Sequence, residues 1–510
     1  MAHSVQPAKK GYFFEQGYTD IRAVVKQTFS LIKKRIDDQR DAMSGSEAAG
    51  FIFHIAVIVS IAVFGGIFSL TVSAAHVIVN FLIMLGYYAV FLVVLAIDRA
   101  YLSLHKIAIS CYECKAKFMY PIYVCPSCGA KHDRLTASVY GAFHRTCECG
   151  YKLPTSIFNF KEKRKDLKAF CPECDKNRRT TPLSDRASRP ICIPVVGGPS
   201  VGKSAFITAY TNLFADEISV EKGIDIELYN DARVFNDYKA MKNFYRTGQI
   251  VKTAVQTDVT KASSIAFSFF PKHPSLRPER LVHIYDIAGE SFVGRANEVQ
   301  KQYDYCHGII LLLDPFSIPD VMARFGAKLN SVDLGGTSTE SIDSMMENFV
   351  LLLEETTGLS RGKILKMPLA VVLNKADEAD LDLVIGDTAI RRAMASHPDV
   401  FTDFLDTMDY LCREFLMKVD MADVMAHIQQ NFKNTRFFVS SAIGHTLNMG
   451  RYYPRHVIEV FDWIYSHSDR KFASVVTSTV FSKAKLPLAS GIGTIDLEAY
   501  ANEEKEPAYV

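Results

Sequence analysis

The segment Gly197-Gly198-Pro199-Ser200-Val201-Gly202-Lys203-Ser204 has the spacing G-x-x-x-x-G-K-[ST] and follows the apolar run Ile191 to Val196. Glycines at these positions let backbone N–H groups turn inward around phosphate oxygens. Lys203 brings a point charge to the β and γ oxygens, and the Ser204 hydroxyl can bind Mg²⁺. Residues from Ala205 to Phe214 read as a helix whose N-terminus faces the anion. A second run, Leu281 to Tyr285, delivers Asp286-Ile287-Ala288-Gly289-Glu290 at its end. There Asp286 can hold Mg²⁺ through water, and the Gly289 N–H can sense a γ-phosphate.

A third run, Gly308 to Leu313, ends in Asp314-Pro315, and a fourth, Leu369 to Leu373, ends in Asn374-Lys375-Ala376-Asp377. The Asp377 carboxylate can accept from guanine N1–H and the exocyclic amine, whereas adenine presents no such pair of donors on that edge. A fifth run, Arg436 to Val439, ends in Ser440-Ser441-Ala442, whose backbone can meet the guanine carbonyl. Each motif stands at the C-terminal end of an apolar run, the edge at which open α/β sheets bind ligands. Pro194 is irregular in this scheme, because the strand before a phosphate loop is normally central and proline donates nothing to a ladder; the sequence predicts an opened strand or a bulge there.

Through GGPSVGKS, DIAGE, NKAD and SSA, over roughly residues 188 to 468, the chain resembles the translation-factor-related and Ras-like P-loop GTPases. The cysteine clusters, an early apolar segment and the phrase LLLDPFSIP resemble the bacterial membrane-anchored double-GTPase group of that class, associated by analogy with conflict or defence loci. The resemblance implies an α/β P-loop GTPase domain, a mostly parallel sheet with helices on both faces. It further implies GTP and GDP as ligands and Mg²⁺ held by Ser204, Asp286 and a first-switch threonine. Lys203, Thr253, Asp286, Gly289 and Glu290 would be the catalytic set. Gly197 to Ala205, with Asn374, Lys375, Asp377, Ser441 and Ala442, would contact the nucleotide. Thr247, Thr253, Thr257 and Thr260 all lie before Asp286, and Thr253 is the choice made here. Where Ras-like relatives carry a water-orienting glutamine, this chain has Glu290, which repels a γ-phosphate and points to slow turnover. Arg246 or Arg295 could act as a finger in cis, and an activating protein in trans is the alternative.

Of 11 cysteines, eight fall between residues 111 and 174. Cys111-x₂-Cys114 with Cys125-x₂-Cys128 has the spacing of a small zinc ribbon, and Cys147-x-Cys149 with Cys171-x₂-Cys174 offers a second set of four; a crossed pairing of the two sets is compatible with the spacing. Four thiolates leave no open position, so the expected Zn²⁺ is structural. His132 and His144 are reserve ligands.

The elements that must carry these groups are set by composition. With 510 residues, 58 Lys+Arg and 56 Asp+Glu, the chain is several units long and nearly neutral, which excludes a wholly basic nucleic-acid binder and an acidic disordered chain. From Ala48 to Ile97 there is no Asp, Glu, Lys or Arg. Phe51 to Leu70 and Ala74 to Ile97 are each long enough to cross about 30 Å of hydrocarbon, and only Thr71-Val72-Ser73 separates them. The expectation is a two-helix transmembrane hairpin. Lys33, Lys34, Arg35 and Arg40 before it, and Arg99, Lys106, Lys115 and Lys117 after it, place both flanks in the cytoplasm, at a bacterial inner membrane under the resemblance. His54, His76 and Asn80 inside the spans read as interhelical hydrogen-bonding groups.

Residues 1–50 form a cytoplasmic segment, 51–97 the hairpin, 103–187 the zinc module, 188–468 the GTPase domain and 469–510 a flexible tail. From Ser103 to Pro190 there are 17 Lys and Arg against 8 Asp and Glu, a patch favoured for lipid headgroups over nucleic acid. An effector protein and an oligomer are compatible with the sequence. Glu340 to Thr357 carries a helical apolar stripe, and Tyr453 to Tyr465 reads as the closing helix.

Overall fold

The computed structural model describes residues 6–105, 107–111, 117–155, 167–176, 182–183, 188–229, 232–249, 266–286, 306–329, 342, 364–445, 450–482, 486–488 and 495–497. The described residues form two compact units, the first up to Leu183 and the second from Ser188.

In the first unit, helix α1 (Gln16–Met43) leads through a short turn into one continuous helix, α2 (Ala48–Leu104). The expected turn at Thr71-Val72-Ser73 is helical, which replaces the two spans with a single helix of 57 residues, about 85 Å at 1.5 Å per residue. The reason is local. No proline or left-handed residue interrupts the i→i−4 ladder, and Thr71 returns its hydroxyl to the Ile67 carbonyl at 2.6 Å, satisfying its polar group within the helix. The one wide turn lies earlier, at Ile61–Gly65 beside Gly65-Gly66. The hairpin that does form is α1 against α2: Gln39 meets His54 at 2.8 Å, and the Phe14 ring packs on Tyr88 and Phe91. Beyond α2, short strands build a four-stranded sheet in the order Lys131–His132, Ile122–Val124, Ala169–Phe170, Pro182–Leu183, with a two-stranded ribbon of His144–Thr146 and Lys152–Pro154.

The second unit is built on a seven-stranded sheet. Its strands are β1 (Arg189–Val196), β2 (Asp225–Leu228), β3 (Ala266–Lys272), β4 (Arg280–Asp286), β5 (Ile309–Leu313), β6 (Leu365–Leu373) and β7 (Phe432–Val439), in the order β2-β3-β4-β1-β5-β6-β7. The pairs from β4 through β7 are parallel, and β2 and β3 add an antiparallel edge. Parallel strands are covered by helices and read as continuous apolar runs; β5 is buried along its whole length, at about 1.5–3 kcal/mol for each large side chain taken from water.

Pro194 sits inside β1, opposite Tyr285, with no bulge. Cys192, two residues earlier and so facing the same neighbour, sends its N–H to the His307 ring; the ladder with β5 starts only at Val195. The missing proline donor therefore falls where no β5 carbonyl requires it.

Helix α3 (Lys203–Leu213) follows the phosphate loop and packs on α4 (Ala232–Thr247) and on α6 (Val457–Ser468), where the Tyr210 ring stacks on Phe461 at 3.6 Å and its hydroxyl meets that of Tyr465 at 2.7 Å. Helix α5 (Phe404–Lys418) lies along β7, and its Asp409 accepts the Phe437 N–H at 2.8 Å. The long interval between Glu378 and Lys433 is helical, as its length suggests. Of the stripe Glu340 to Thr357 only Ile342, which is buried, lies within the described residues.

At the N-terminal edge of the sheet, Arg280 and Arg189 converge on Asp469, at 3.0 and 3.3 Å. Burial pushes this carboxyl up, but the two guanidiniums and the Phe472 N–H outweigh it and hold it below the usual range. Asp469 also caps α7 (Arg470–Val476), accepting from Lys471 and Phe472 N–H. The described part of the stretch expected as a free tail is docked. Asp462 accepts the N–H groups of Ser478 and Thr479, Arg413 donates to the Leu486 carbonyl, Glu414 and Lys418 take the Ile495 backbone, and Ile495 and Leu497 are buried. Three charged side chains of α5 thus bind tail backbone, which composition alone does not reveal.

His456, at the start of α6, lies 2.5 Å from Asp387 and 3.3 Å from Glu459. Burial pushes the imidazole down, yet the two carboxylates outweigh burial and raise it to about 9. A group whose folded value lies above its ordinary 6.5 stabilises the fold fully below that value and loses the effect as pH rises through about 9.

Two outcomes are expected. Asp469→Ala leaves Arg280 buried without its carboxylate and should cost about 3–5 kcal/mol in chemical denaturation of the solubilised chain; a loss under about 1 kcal/mol contradicts the clamp. His456→Gln should lower the melting temperature at pH 6.5 but leave it equal to wild type above pH 9.5; a difference constant across that range removes the charged imidazole.

Candidate functional site

The loop leaving β1 turns back on itself before α3. Gly202 caps that helix with φ +91°, and a Cβ there would meet the Asn374 amide nitrogen at 2.5 Å, so both conformation and space require glycine. Lys203, the first residue of α3, donates into its own loop, to the carbonyls of Gly197 at 2.9 Å and Gly198 at 2.6 Å. Ser204 donates its hydroxyl to Asp286 Oδ2 at 2.5 Å, which brings the end of β4 to the first turn of α3. Asp286 is buried. Burial raises its carboxyl, opposed by Lys203 and by the Ser204 hydroxyl, and Oδ1 has no hydrogen-bond partner among the described residues. A buried anionic oxygen without a partner, beside a hydroxyl and a lysine, is a donor set that suits a hard divalent cation.

The loops after β6 and β7 close on the same edge. Asn374 bridges three segments: its N–H reaches the Leu313 carbonyl at 2.9 Å, its amide donates to the Val201 carbonyl at 2.9 Å, and its amide oxygen accepts from the Ser440 hydroxyl at 3.0 Å. The Ala376 N–H donates to the Ser440 carbonyl at 3.1 Å, so the turn bearing half-buried Asp377 is tied to the loop after β7. Ser441 exchanges backbone hydrogen bonds with Arg455 and accepts the Gly444 N–H on its hydroxyl; Ala442 is buried next to it. Lys375 has φ +62°, and its ammonium donates to Asp314 at 2.7 Å.

The structure therefore brings Gly197 to Ala205, Asp286, Asn374, Lys375, Asp377, Ser441 and Ala442 to the C-terminal edge of one sheet. Thr253, Gly289 and Glu290 lie outside the described residues, as do Thr257, Thr260 and Arg295. Thr247 and Arg246 end α4 as helical residues, with the Thr247 hydroxyl returned to Asn243.

Sequence reasoning missed several supporting residues. Asp314 holds Lys375; its signal was a lone carboxylate closing an otherwise apolar strand. Arg455 pairs with Asp382 and His456 with Asp387, fixing the segment after Asp377 to the loop after Ser441. Tyr452 donates its N–H to the Tyr245 carbonyl and its hydroxyl to the Gln249 carbonyl, joining that loop to the end of α4.

In the first unit, Cys125, Cys128, Cys147 and Cys149 gather with all sulfurs within 4.8 Å of one another, and Cys111, Cys171 and Cys174 form a second, buried group. The expected sequential sets are thus corrected to a nested arrangement, the middle two pairs together and the outer residues together; Cys114 lies outside the described residues. The cause is strand pairing. The strand before Cys125 lies antiparallel to the one before Cys171, and tight turns at Gly129 (φ +73°) and Gly150 (φ +92°) fold each inner pair inward. Sulfur separations of 3.6 Å (Cys125 to Cys149), 3.5 Å (Cys128 to Cys147) and 3.8 Å (Cys111 to Cys174) are far beyond a disulfide. They match the edge of a tetrahedron with metal–sulfur bonds of about 2.3 Å, which is about 3.8 Å. The Cys149 thiol is drawn down to about 6 by the Tyr151 N–H, while burial pushes Cys147 up to about 12. His132 and His144 belong to neither group. Neither ring nitrogen of buried His132 has a hydrogen-bond partner among the described residues, and burial together with Arg145 lowers its value to about 4.

No protein-family model matches this sequence, and no curated protein matches it. Among solved structures, the chain is similar to the S. cerevisiae Ski7 GTPase-like domain bound to GTP, at 11% identity and a TM-score of 0.26, over 56% of this chain and 50% of that one. It is similar to the signal recognition particle receptor SRb-GTP/SRX complex from Chaetomium thermophilum at 12% identity and a TM-score of 0.23, over 50% and 92%. A bacterial selenocysteine-specific elongation factor, EF-Sec, matches at 13% identity and a TM-score of 0.20, over 56% and 29%. The match thus spans half of the Ski7 chain, and every likeness is low; the site is read from its own residues.

Proposed function

We propose that this chain is a membrane-associated, guanine-nucleotide-binding switch that hydrolyses GTP slowly. The observation that carries the reading is the meeting of the phosphate loop with Asp286 on one side and with Asn374, Lys375, Asp377 and Ser440–Ala442 on the other. Phosphate groups would enter where Lys203 now spans the carbonyls of Gly197 and Gly198. The ammonium exchanges those acceptors for phosphate oxygens, and the loop N–H groups and the α3 N-terminus receive the rest of the charge. Mg²⁺, when bound, would be held by Ser204 and Asp286 and would offset charge between the phosphates. Asp377 would accept from N1–H and the amine of guanine, and the Ala442 backbone would meet the ring carbonyl. Thr253, Gly289 and Glu290 complete the proposal as switch residues.

The apolar helix α2 is the proposed membrane element: its most apolar window has a mean hydropathy of 2.5 and none of that window is buried. An exposed apolar surface of this size is stable only against lipid or protein. The eight clustered cysteines are proposed to hold two structural Zn²⁺ ions, one on Cys125, Cys128, Cys147 and Cys149 and one on Cys111, Cys171 and Cys174 completed by Cys114. A protein effector or activator is the proposed partner of the nucleotide-bound form.

Detergent-solubilised full-length protein with Mg²⁺ should consume GTP in preference to ATP, and Lys203→Ala should lose about 100-fold in GTP affinity, ~2.7 kcal/mol. Preferential ATP consumption contradicts the role given to Asp377, and GTP binding without turnover points to a scaffold. Metal analysis should find two zinc ions per chain. Cys125→Ser with Cys147→Ser should lose one ion, because both belong to one nested site; loss of both ions would restore the sequential pairing.

A further inference from the structure

β5 is buried along its length and runs parallel to β6 with Leu313 opposite Leu373, so Asp314 and Asn374 leave neighbouring strands side by side. The Asp314 side chain is fully buried, at 0% exposure, and both oxygens are engaged: Oδ1 accepts the Phe316 N–H at 3.0 Å, capping a short turn at Pro315–Ser317, and Oδ2 accepts the Lys375 ammonium at 2.7 Å. Lys375 itself is held in the left-handed region, which a side chain with a Cβ adopts only when its surroundings fix it. The residues after it turn at once, with the Glu378 N–H donating to the Lys375 carbonyl and the Ala376 N–H to Ser440. Asp377 lies between these two anchors. A carboxylate taken wholly out of water is stabilised by a cation beside it, and Lys375 supplies one.

We infer that Asp314 is a positioning residue for base recognition: its buried ion pair with Lys375 sets the backbone turn that aims Asp377. The inference rests on the guanine reading given above and adds the means by which specificity is enforced. The cap at Phe316 and the pair at Lys375 use different oxygens, so Asp314→Asn can keep the cap and remove the charge.

Affinities of the solubilised full chain for GDP and IDP with Mg²⁺, measured by calorimetry, separate the possibilities. IDP lacks the exocyclic amine, so the ratio of the two affinities reports the Asp377 contact and is not moved by a general loss of stability. Asp314→Asn should weaken GDP at least tenfold and IDP less, bringing the ratio toward one, while Asp314→Glu should recover part of the ratio. Lys375→Met should lower the ratio similarly, and Asp314→Asn added to it should cost no more than about twofold further, because both changes break one pair. If Asp314→Asn does not fold, Lys375→Met and Asp314→Glu carry the same test. A GDP-to-IDP ratio unchanged in the variants, in a wild type that binds GDP, overturns the inference alone. A wild type that binds neither nucleotide removes the guanine reading as well.

Discussion

A buried carboxamide left without partners costs about 1–3 kcal/mol for each orphaned group, so a chain that buries one must bring acceptors and donors to it from elsewhere. Asn374 is such a group: its carboxamide is held by Val201 in the loop after β1 and by Ser440 at the end of β7, while its backbone N–H reaches Leu313 at the end of β5. The requirement works in both directions. Because the Asn374 amide lies where a Cβ of residue 202 would be, the phosphate loop can close only on glycine, and because Ser440 holds the amide oxygen, the turn that carries Asp377 cannot drift from the loop that carries Ala442. The proposed phosphate and base pockets are thus joined by hydrogen bonds.

The parallel sheet divides labour between its two edges. Its C-terminal edge gathers the loops, with their left-handed residues at Ser200, Gly202 and Lys375. Its N-terminal edge is held by charge: Arg280 and Arg189 from neighbouring strands meet the single carboxylate of Asp469, which also starts the helix that follows. Two guanidiniums around one buried carboxylate lock the beginnings of β4 and β1 in register, and the same register delivers Asp286 to Ser204 at the other end. Left-handed residues thus stand in the loops of the C-terminal edge, and a buried ion-pair cluster holds the opposite one.

What the sequence made legible follows from what is contiguous in it. The G-x-x-x-x-G-K-S loop, Asp286, the Asn374 segment and Ser440–Ala442 are each a few residues at the end of an apolar run, so pattern and position sufficed to place them at one sheet edge. Asp314 with Lys375 and His456 with Asp387 are 61 and 69 residues apart, and no local pattern joins them. Length and composition identified the apolar segment, but the place of a turn depends on a helix breaker, and Thr71-Val72-Ser73 contains none; the helix continues and its partner is α1. The polar, glycine-bearing C-terminal stretch read as free because its anchors, Arg413, Glu414 and Lys418, are on α5 and bind backbone, which any sequence provides.

The cysteines show the same limit in a form that magnitudes can decide. Spacing gives the pairs and not their grouping. Cys125 and Cys149 are 24 residues apart, and Cys111 and Cys174 are 63 apart. Nested closure, over 24 and about 40 residues, costs only ~0.7 kcal/mol more than sequential closure over 17 and 27 residues. Chain entropy is therefore too weak to choose between nested and sequential groupings. The antiparallel pairing of Ile122–Val124 with Ala169–Phe170 does choose, since it sets Cys125 and Cys171 at opposite ends of one short ladder and so assigns them to different groups. Which cysteines gather in this module is thus set by the sheet, and a substitution that slips that ladder by one residue is expected to regroup the sulfurs without removing any of them.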